Sequence, residues 1–410
     1  MSSRASLIPL PFAGLLALAV AMGIGRFAFT PILPMMQADQ GLSLAQGGWL
    51  ASANYLGYLL GALLVTHLSW SPARLLRSGL WLVVLMTAAM GLDNHWVGWL
   101  LWRLLAGVAS AWVMIGTASL CIARLNAQGK ERHSGIVFAG VGCGITFAGL
   151  ACMGLTLLGT TSSDAWLWLA AAALLGLIGA SMLWRPSNQA DPRPAAIPRE
   201  TDAVDKQAPA SQATPAPIPP LHWGLILCYG VYGFGYILPA TFLPAQARLL
   251  VPDPWLFSLA WPIFGLASAA STLIASRLAR RFSRQKIWAG AQILMAIGVL
   301  LPALWHTLAA ILLAALCVGS TFMVITMVGL QEAQAAVGRI GAKRQMAAMT
   351  ASFALGQLIG PLFFSLTHAL FGAPLEFALV LGTLGLIAGA LPILRLRTCD
   401  KVTSQTEISP

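Results

Sequence analysis

Gly23-Ile-Gly25-Arg26-Phe-Ala-Phe-Thr30-Pro31-Ile-Leu33-Pro34 sits in the first apolar run of the chain, and Gly233-Phe-Gly235-Tyr236-Ile-Leu-Pro239-Ala-Thr241-Phe-Leu243-Pro244 sits in the seventh. At a constant offset Gly, Gly, Leu and Pro coincide, and Tyr236 takes the place of Arg26. A similar offset pairs Gly107 with Gly319, and Gly144 and Ala148 with Gly356 and Gly360. The runs themselves are about 20 residues long, the length that crosses a hydrocarbon core of about 30 Å. The chain of 410 residues is 58% hydrophobic and only 9% charged, with a mean hydropathy of +0.78. A soluble domain carries about 25% charged residues to cover its surface, so most of this surface faces something other than water. No segment alternates apolar with polar as a membrane barrel strand does. The pattern predicts an all-α integral membrane protein that contacts the lipid bilayer.

Spans are predicted near residues 9–36, 47–66, 75–92, 97–123, 134–158, 164–184, 222–246, 256–276, 287–305, 308–330, 346–370 and 375–395. The start has the look of a signal peptide, but its apolar run continues to about Met36, so we read an uncleaved first helix. Lys and Arg set the orientation. With the N-terminus inside, the inner connections hold Arg74, Arg77, Arg124, Lys130, Arg132, Arg277, Arg280, Arg281, Arg284, Lys286, Arg339, Lys343 and Arg344. The outer connections hold Arg248 alone, with Asp39, Asp93, Asp164, Asp253 and Glu376. The reading is a multi-pass protein of a bacterial inner membrane with both termini cytoplasmic. The net charge of +11 therefore belongs to topology rather than to nucleic acid. Residues 185–220, rich in Pro, Ala and charge, cannot bury enough apolar area to fold and read as a disordered cytoplasmic linker. They separate an N-terminal six-helix bundle (1–184) from a C-terminal one (221–396), followed by a cytoplasmic tail (397–410). With the repeat, this predicts about twelve spans in two pseudo-symmetric halves.

Arg103-Leu-Leu-Ala-Gly107 in the fourth span resembles the Arg-x-x-x-Gly stretch of the major facilitator superfamily, and Arg277-Leu-Ala-Arg280-Arg281-Phe-Ser-Arg284-Gln-Lys286 resembles its basic loop between the eighth and ninth spans. The connection from His67 to Arg77 lacks that family's Asp and Gly. The Gly23 to Pro34 motif resembles the YbfB/YjiJ branch. The resemblance implies the major facilitator fold, transport of a small molecule, and a coupling or structural role for Arg103, with Gly107 beside it.

Charge within the membrane is costly and marks function. Arg26 lies in the middle of the first span, and no Asp or Glu falls within any predicted span, Glu332 being nearest at the inner end of the tenth. A cavity arginine without a buried acid favours an anionic substrate, whose carboxylate or phosphate oxygens match the guanidinium fork. The other reading of Arg26, left open, is that it braces backbone carbonyls freed by Pro31 and Pro34. Arg103, closer to the outer end, is open to snorkelling or packing. Tyr229, Tyr232 and Tyr236 stack on one face of the seventh span, with Tyr55 and Tyr58 in the second; their hydroxyls point to a polar cavity or to helix packing. Thr30, Asn54 and Gln357 complete the candidate substrate set, and Arg103, Gly107 and Glu332 the candidate coupling or gating set. No nucleophile–base pair, HExxH cluster or Walker motif occurs, so neither enzyme chemistry, a cofactor nor a metal is expected. The protein is read as a monomer. The leading expectation is a secondary carrier of a small organic anion or an amphipathic metabolite with an anionic group. The alternative is a proton-coupled exporter of drugs or hydrophobic metabolites, using Glu332 or His368.

Overall fold

The computed structural model describes residues 9–184, 219–250 and 254–395, and is helical throughout apart from short connections. The linker predicted at 185–220 falls outside these residues up to position 218, as do the tail from 396 and Asp253.

The first predicted span, 9–36, is three segments rather than one: α1 (Leu10–Leu18), a π-helical stretch (Ala19–Phe27) and α2 (Phe29–Asp39). The irregular turn lies upstream of Pro31, which sits in the first turn of α2 where its fixed φ is tolerated, and of Pro34, which lies inside that helix. There follow α3 (Leu44–His67), α4 (Pro72–Leu92), α5 (Trp96–Ala127), α6 (Ser134–Leu157) and α7 (Ser162–Ala180), then α8 (Trp223–Leu250), α9 (Pro254–Leu278), α10 (Arg284–Leu304), α11 (Leu308–Phe371) and α12 (Leu375–Arg395). Ser and Thr in the short connections start the helices. Ser43 accepts from the Gln46 amide while the Gln46 side chain accepts from that of Ser43, and the hydroxyls of Ser71, Thr161, Ser283 and Thr307 each accept from the amide three residues on to cap α4, α7, α10 and α11. Asp93 ends α4, accepting from the His95 amide and from the Trp102 indole; the first of these contacts does most to hold its carboxyl below the usual range.

Predicted spans 308–330 and 346–370 are joined in α11, a helix of 64 residues. Residues 331–345 are rich in Ala, Gln, Arg and Lys and contain no Pro, so helix continues past the apolar stretch. It is interrupted at Gly338, whose φ of 66° and ψ of −176° only glycine adopts readily. Ten helices among the described residues are long and apolar enough to cross a membrane, α11 counting once. Leucines such as Leu85, Leu175 and Leu312 point outward, 55%, 71% and 52% exposed, a distribution suited to lipid.

Packing follows small residues. Gly23 lies on Gly144 in the first half, and Gly356 lies on Gly230 and Gly233 in the second, so glycines matched by the internal offset meet in each half. A Cβ at Gly107 would meet the carbonyl of Asn54, which places the α5 backbone directly on α3. We expect Gly107→Ala to lower the stability of the detergent-purified protein by about 1–3 kcal/mol, read by thermal unfolding, because backbone cannot yield as a side chain can. The halves meet where α6 runs along α9 and α3 along α11. At the end bearing the basic connections they are tied further: Gln331 Nε2 donates to Ser134 Oγ at 2.6 Å, and Lys343 Nζ donates to the carbonyls of Leu68 and Trp70 at 2.7 and 3.1 Å.

Candidate functional site

The first span and α5 are the most enclosed of the apolar helices, and they carry the two buried arginines: Arg26 is 3% exposed and Arg103 2%. A π-helical turn is wider than an α-turn and leaves carbonyls without their usual partners. In this chain α5 supplies partners. Arg103 donates through Nη1 to the Gly25 carbonyl at 3.3 Å and through Nη2 to that of Arg26 at 3.4 Å. Ser110 Oγ lies 2.8 Å from the Ala21 carbonyl. The guanidinium of Arg103 also stacks 4.6 Å from the ring of Phe29. Snorkelling to an interface is thereby corrected for Arg103: its fork is committed to backbone in the interior. A brace for the broken first helix, the reading left open for Arg26 at Pro31 and Pro34, is made instead by Arg103 at the carbonyls of Gly25 and Arg26.

That arrangement leaves the Arg26 side chain for the space between the halves. Its Nη2 donates to Oε1 of Gln357, on α11 in the other half. Its guanidinium carbon lies 4.2 Å from the ring centre of Tyr58 and 5.5 Å from that of Tyr55, so α3 offers two aromatic faces to the charge. Nε of Arg26 and Nε2 of Gln357 are buried and find no hydrogen-bond partner among the described residues. No ion pair recorded among those residues includes Arg26 or Arg103; carboxylates pair only with His95, His306 and Arg284.

Arg26, Tyr58, Tyr229 and Tyr236 line one small cavity of about 10 Å³, together with Thr326, Phe322 and Phe353, which periodicity alone did not single out. The repeat partners Arg26 and Tyr236 thus come to the same space. The cavity has room for roughly one water. Tyr232 is placed differently: its hydroxyl donates to the Phe322 carbonyl at 2.7 Å and lies 3.2 Å from Thr326 Oγ1, so it holds α8 to α11. Five rings on α8, α9 and α11 form a near-parallel ladder. Trp261 stacks on Phe264 (5.4 Å, 7°), Phe264 on Phe322 (5.2 Å, 22°), Phe322 on Tyr236 (5.3 Å, 19°) and Tyr236 on Phe353 (6.1 Å, 28°).

Asn54 donates to the Arg103 carbonyl at 2.9 Å, a helix-to-helix bond that joins α3 to α5. Thr30 is half-buried on α2 and does not line the cavity. Gly107 is a contact point of backbones, as described above. Glu332 lies at the other end of α11's first half, accepting from Arg284 Nε at 2.7 Å and from Gln285 at 3.3 Å; Glu131 of the first half stands 3.8 Å from the same Arg284. The candidate coupling acid is therefore tied into the contacts between the halves and does not line the Arg26 cavity.

A family model described as the uncharacterised MFS-type transporter YbfB matches residues 18–394. Among solved structures, that of the human organic anion transporter MFSD10 (TETRAN) is similar, with a TM-score of 0.66 over 94% of this chain and 98% of that chain at 16% identity, a likeness of fold. No curated protein matches the chain.

Proposed function

The chain belongs to the family of major facilitator transporters described by YbfB, and from that premise we propose that it is a secondary carrier of small organic anions working by alternating access. The observation that carries this reading is the pair of buried guanidiniums with no recorded carboxylate partner, one of them turned to the space between the halves. Two uncompensated cations in a low-dielectric interior are costly, and an arriving anion offsets that cost. Arg103 spends Nη1 and Nη2 on the backbone of the first span, its Nε, like that of Arg26, finding no partner among the described residues, and so braces the segment that carries Arg26. Gln357 reaches the same guanidinium from the opposite half, so a bound anion bridges the halves and its release lets them rock apart.

The same reading takes the protein to be monomeric, with about twelve spans in two bundles, both termini and the basic connections facing the cytoplasm of a bacterial cell. The name of MFSD10 as an organic anion transporter agrees in substrate charge.

Counterflow in vesicles loaded with organic anions tests the proposal. Exchange of labelled anion between equal concentrations, unchanged by an imposed pH gradient, is the expected result. The second reading, a proton-coupled exporter, is favoured by the burial of Glu332 at 2% exposure. It requires flux of uncharged or cationic drugs that follows the pH gradient and loses that dependence in Glu332→Gln. On our reading Glu332→Gln instead leaves anion affinity within about twofold of wild type, since Glu332 does not line the cavity and its partners Arg284 and Gln285 do not either.

A further inference from the structure

The ring ladder and two idle donors specify the anion further. We propose that the substrate is a flat aromatic monocarboxylate, its carboxylate bridging Arg26 Nε and Gln357 Nε2 and its ring lying between Tyr58 of the first half and the cavity-lining rings Tyr236 and Phe353 of the second. This rests on the reading of Arg26 as the anion site and adds the shape and valence of the ligand.

Three observations converge. First, the unpartnered donors come from two side chains already joined to each other, 3% and 1% exposed. A carboxylate has two oxygens and can accept from both at once, which satisfies buried groups that otherwise carry a desolvation cost. Second, the cation itself lies against aromatic faces, with Tyr58 closest. A carboxylate docking there is flanked by rings rather than by further donors. Third, successive members of the ladder are inclined by 28° or less with centres 5.2–6.1 Å apart. Aromatic pairs prefer such offset stacking at centroid separations of about 4.5–7 Å; the ladder belongs wholly to the second half and turns Phe322, Tyr236 and Phe353 to the cavity opposite Tyr58 of the first, so a planar ring fits between these faces when the halves separate. The rest of the lining is Phe27, Met22, Met114 and Met323 with two threonines, Thr326 and Thr350, and offers no second cation to a dianion or a phosphate ester. Thioethers adapt to ring edges and add to the preference for an aromatic body.

The full-length protein, purified and reconstituted, would be assayed for binding of benzoate, 2-naphthoate, cyclohexanecarboxylate, succinate, inorganic phosphate and benzyl alcohol. Benzoate and 2-naphthoate are expected to bind, with cyclohexanecarboxylate weaker by about two- to tenfold, the value of an aromatic pair. Succinate, phosphate and benzyl alcohol should bind at least about tenfold more weakly than benzoate, because one partner of a buried charged contact is missing or unpaired. Gln357→Leu should weaken benzoate by about tenfold, and Phe322→Leu should bring the ratio of benzoate to cyclohexanecarboxylate close to one while size-exclusion profiles stay those of wild type. Cyclohexanecarboxylate, succinate or phosphate binding as well as benzoate, with Arg26 still required, overturns the aromatic class and leaves the anion carrier standing. Benzyl alcohol equalling benzoate, or no probe binding to protein that is monodisperse, overturns both. A Phe322→Leu protein that is less stable yet keeps the wild-type ratio shows the ladder to be packing and also overturns the proposal.

Discussion

Arg26→Ala, purified and reconstituted, is expected to lose affinity for every transported anion by about 30-fold or more, the cost of removing one partner of a buried charged contact. The argument starts from the surroundings of the side chain. Arg26 is 3% exposed, holds Gln357 across the boundary between the halves and faces Tyr58 at 4.2 Å. Nothing else in the lining of its cavity carries a positive charge. Arg26→Lys keeps the charge but replaces a planar fork by a compact ammonium. It can hold either Gln357 or one oxygen of the anion well, so affinity should recover only in part, remaining about tenfold below wild type for loss of the second charge-assisted contact. Folding is expected to survive both changes: Arg26→Ala removes an uncompensated buried charge and its desolvation cost even as it frees Gln357, and Arg26→Lys keeps a donor for Gln357. Counterflow and equilibrium binding on the same preparations separate these effects. Affinities equal to wild type in both variants, for all anions carried, would remove Arg26 from the substrate site.

Much of the architecture was legible because the bilayer imposes length and composition directly. The repeat was visible in Gly23, Gly144, Gly233 and Gly356, and these glycines pack on one another within their halves because helices without a hydrophobic drive to associate need small residues to approach. Their offset also brought Arg26 and Tyr236 to one cavity. The π-helical turn was not legible. It contains no Pro, its apolar residues fit an ordinary helix, and the prolines downstream drew the break to the wrong place. Arg103 was misplaced for a related reason: position along α5 suggested the outer interface, whereas its long side chain turns inward to carbonyls that only an irregular first span exposes. Continuity of α11 was hidden because hydropathy reports where lipid ends, while helix propensity of residues 331–345 decides where helix ends. The ring ladder draws Trp261, Phe264, Tyr236, Phe322 and Phe353 from three helices, and no local spacing encodes such an assembly.

Arg103→Ala should lower unfolding stability by about 2–6 kcal/mol, one to three for each carbonyl left without a partner. The carbonyls of Gly25 and Arg26 accept from its two terminal nitrogens at 3.3 and 3.4 Å, in a region where water cannot replace them. Ser110 keeps its own contact with the Ala21 carbonyl, so the π-helical turn loses its support at one end only. That end carries Arg26. Anion affinity is therefore expected to fall together with stability, although Arg103 does not line the cavity. A positioning role separates from a general loss of structure in two ways. Arg103→Lys can place one donor on one carbonyl and should restore about half of the stability, by the same count of contacts. In Arg26→Ala, where no guanidinium remains to be positioned, adding Arg103→Ala should lower stability as before while leaving the already weakened anion binding unchanged, a non-additivity expected of residues acting through one another. Chemical unfolding in detergent and equilibrium binding on all four proteins supply the readouts. Should Arg103→Ala match wild type in stability, the backbone brace is absent; should it weaken binding equally with and without Arg26, Arg103 acts on the substrate by another route.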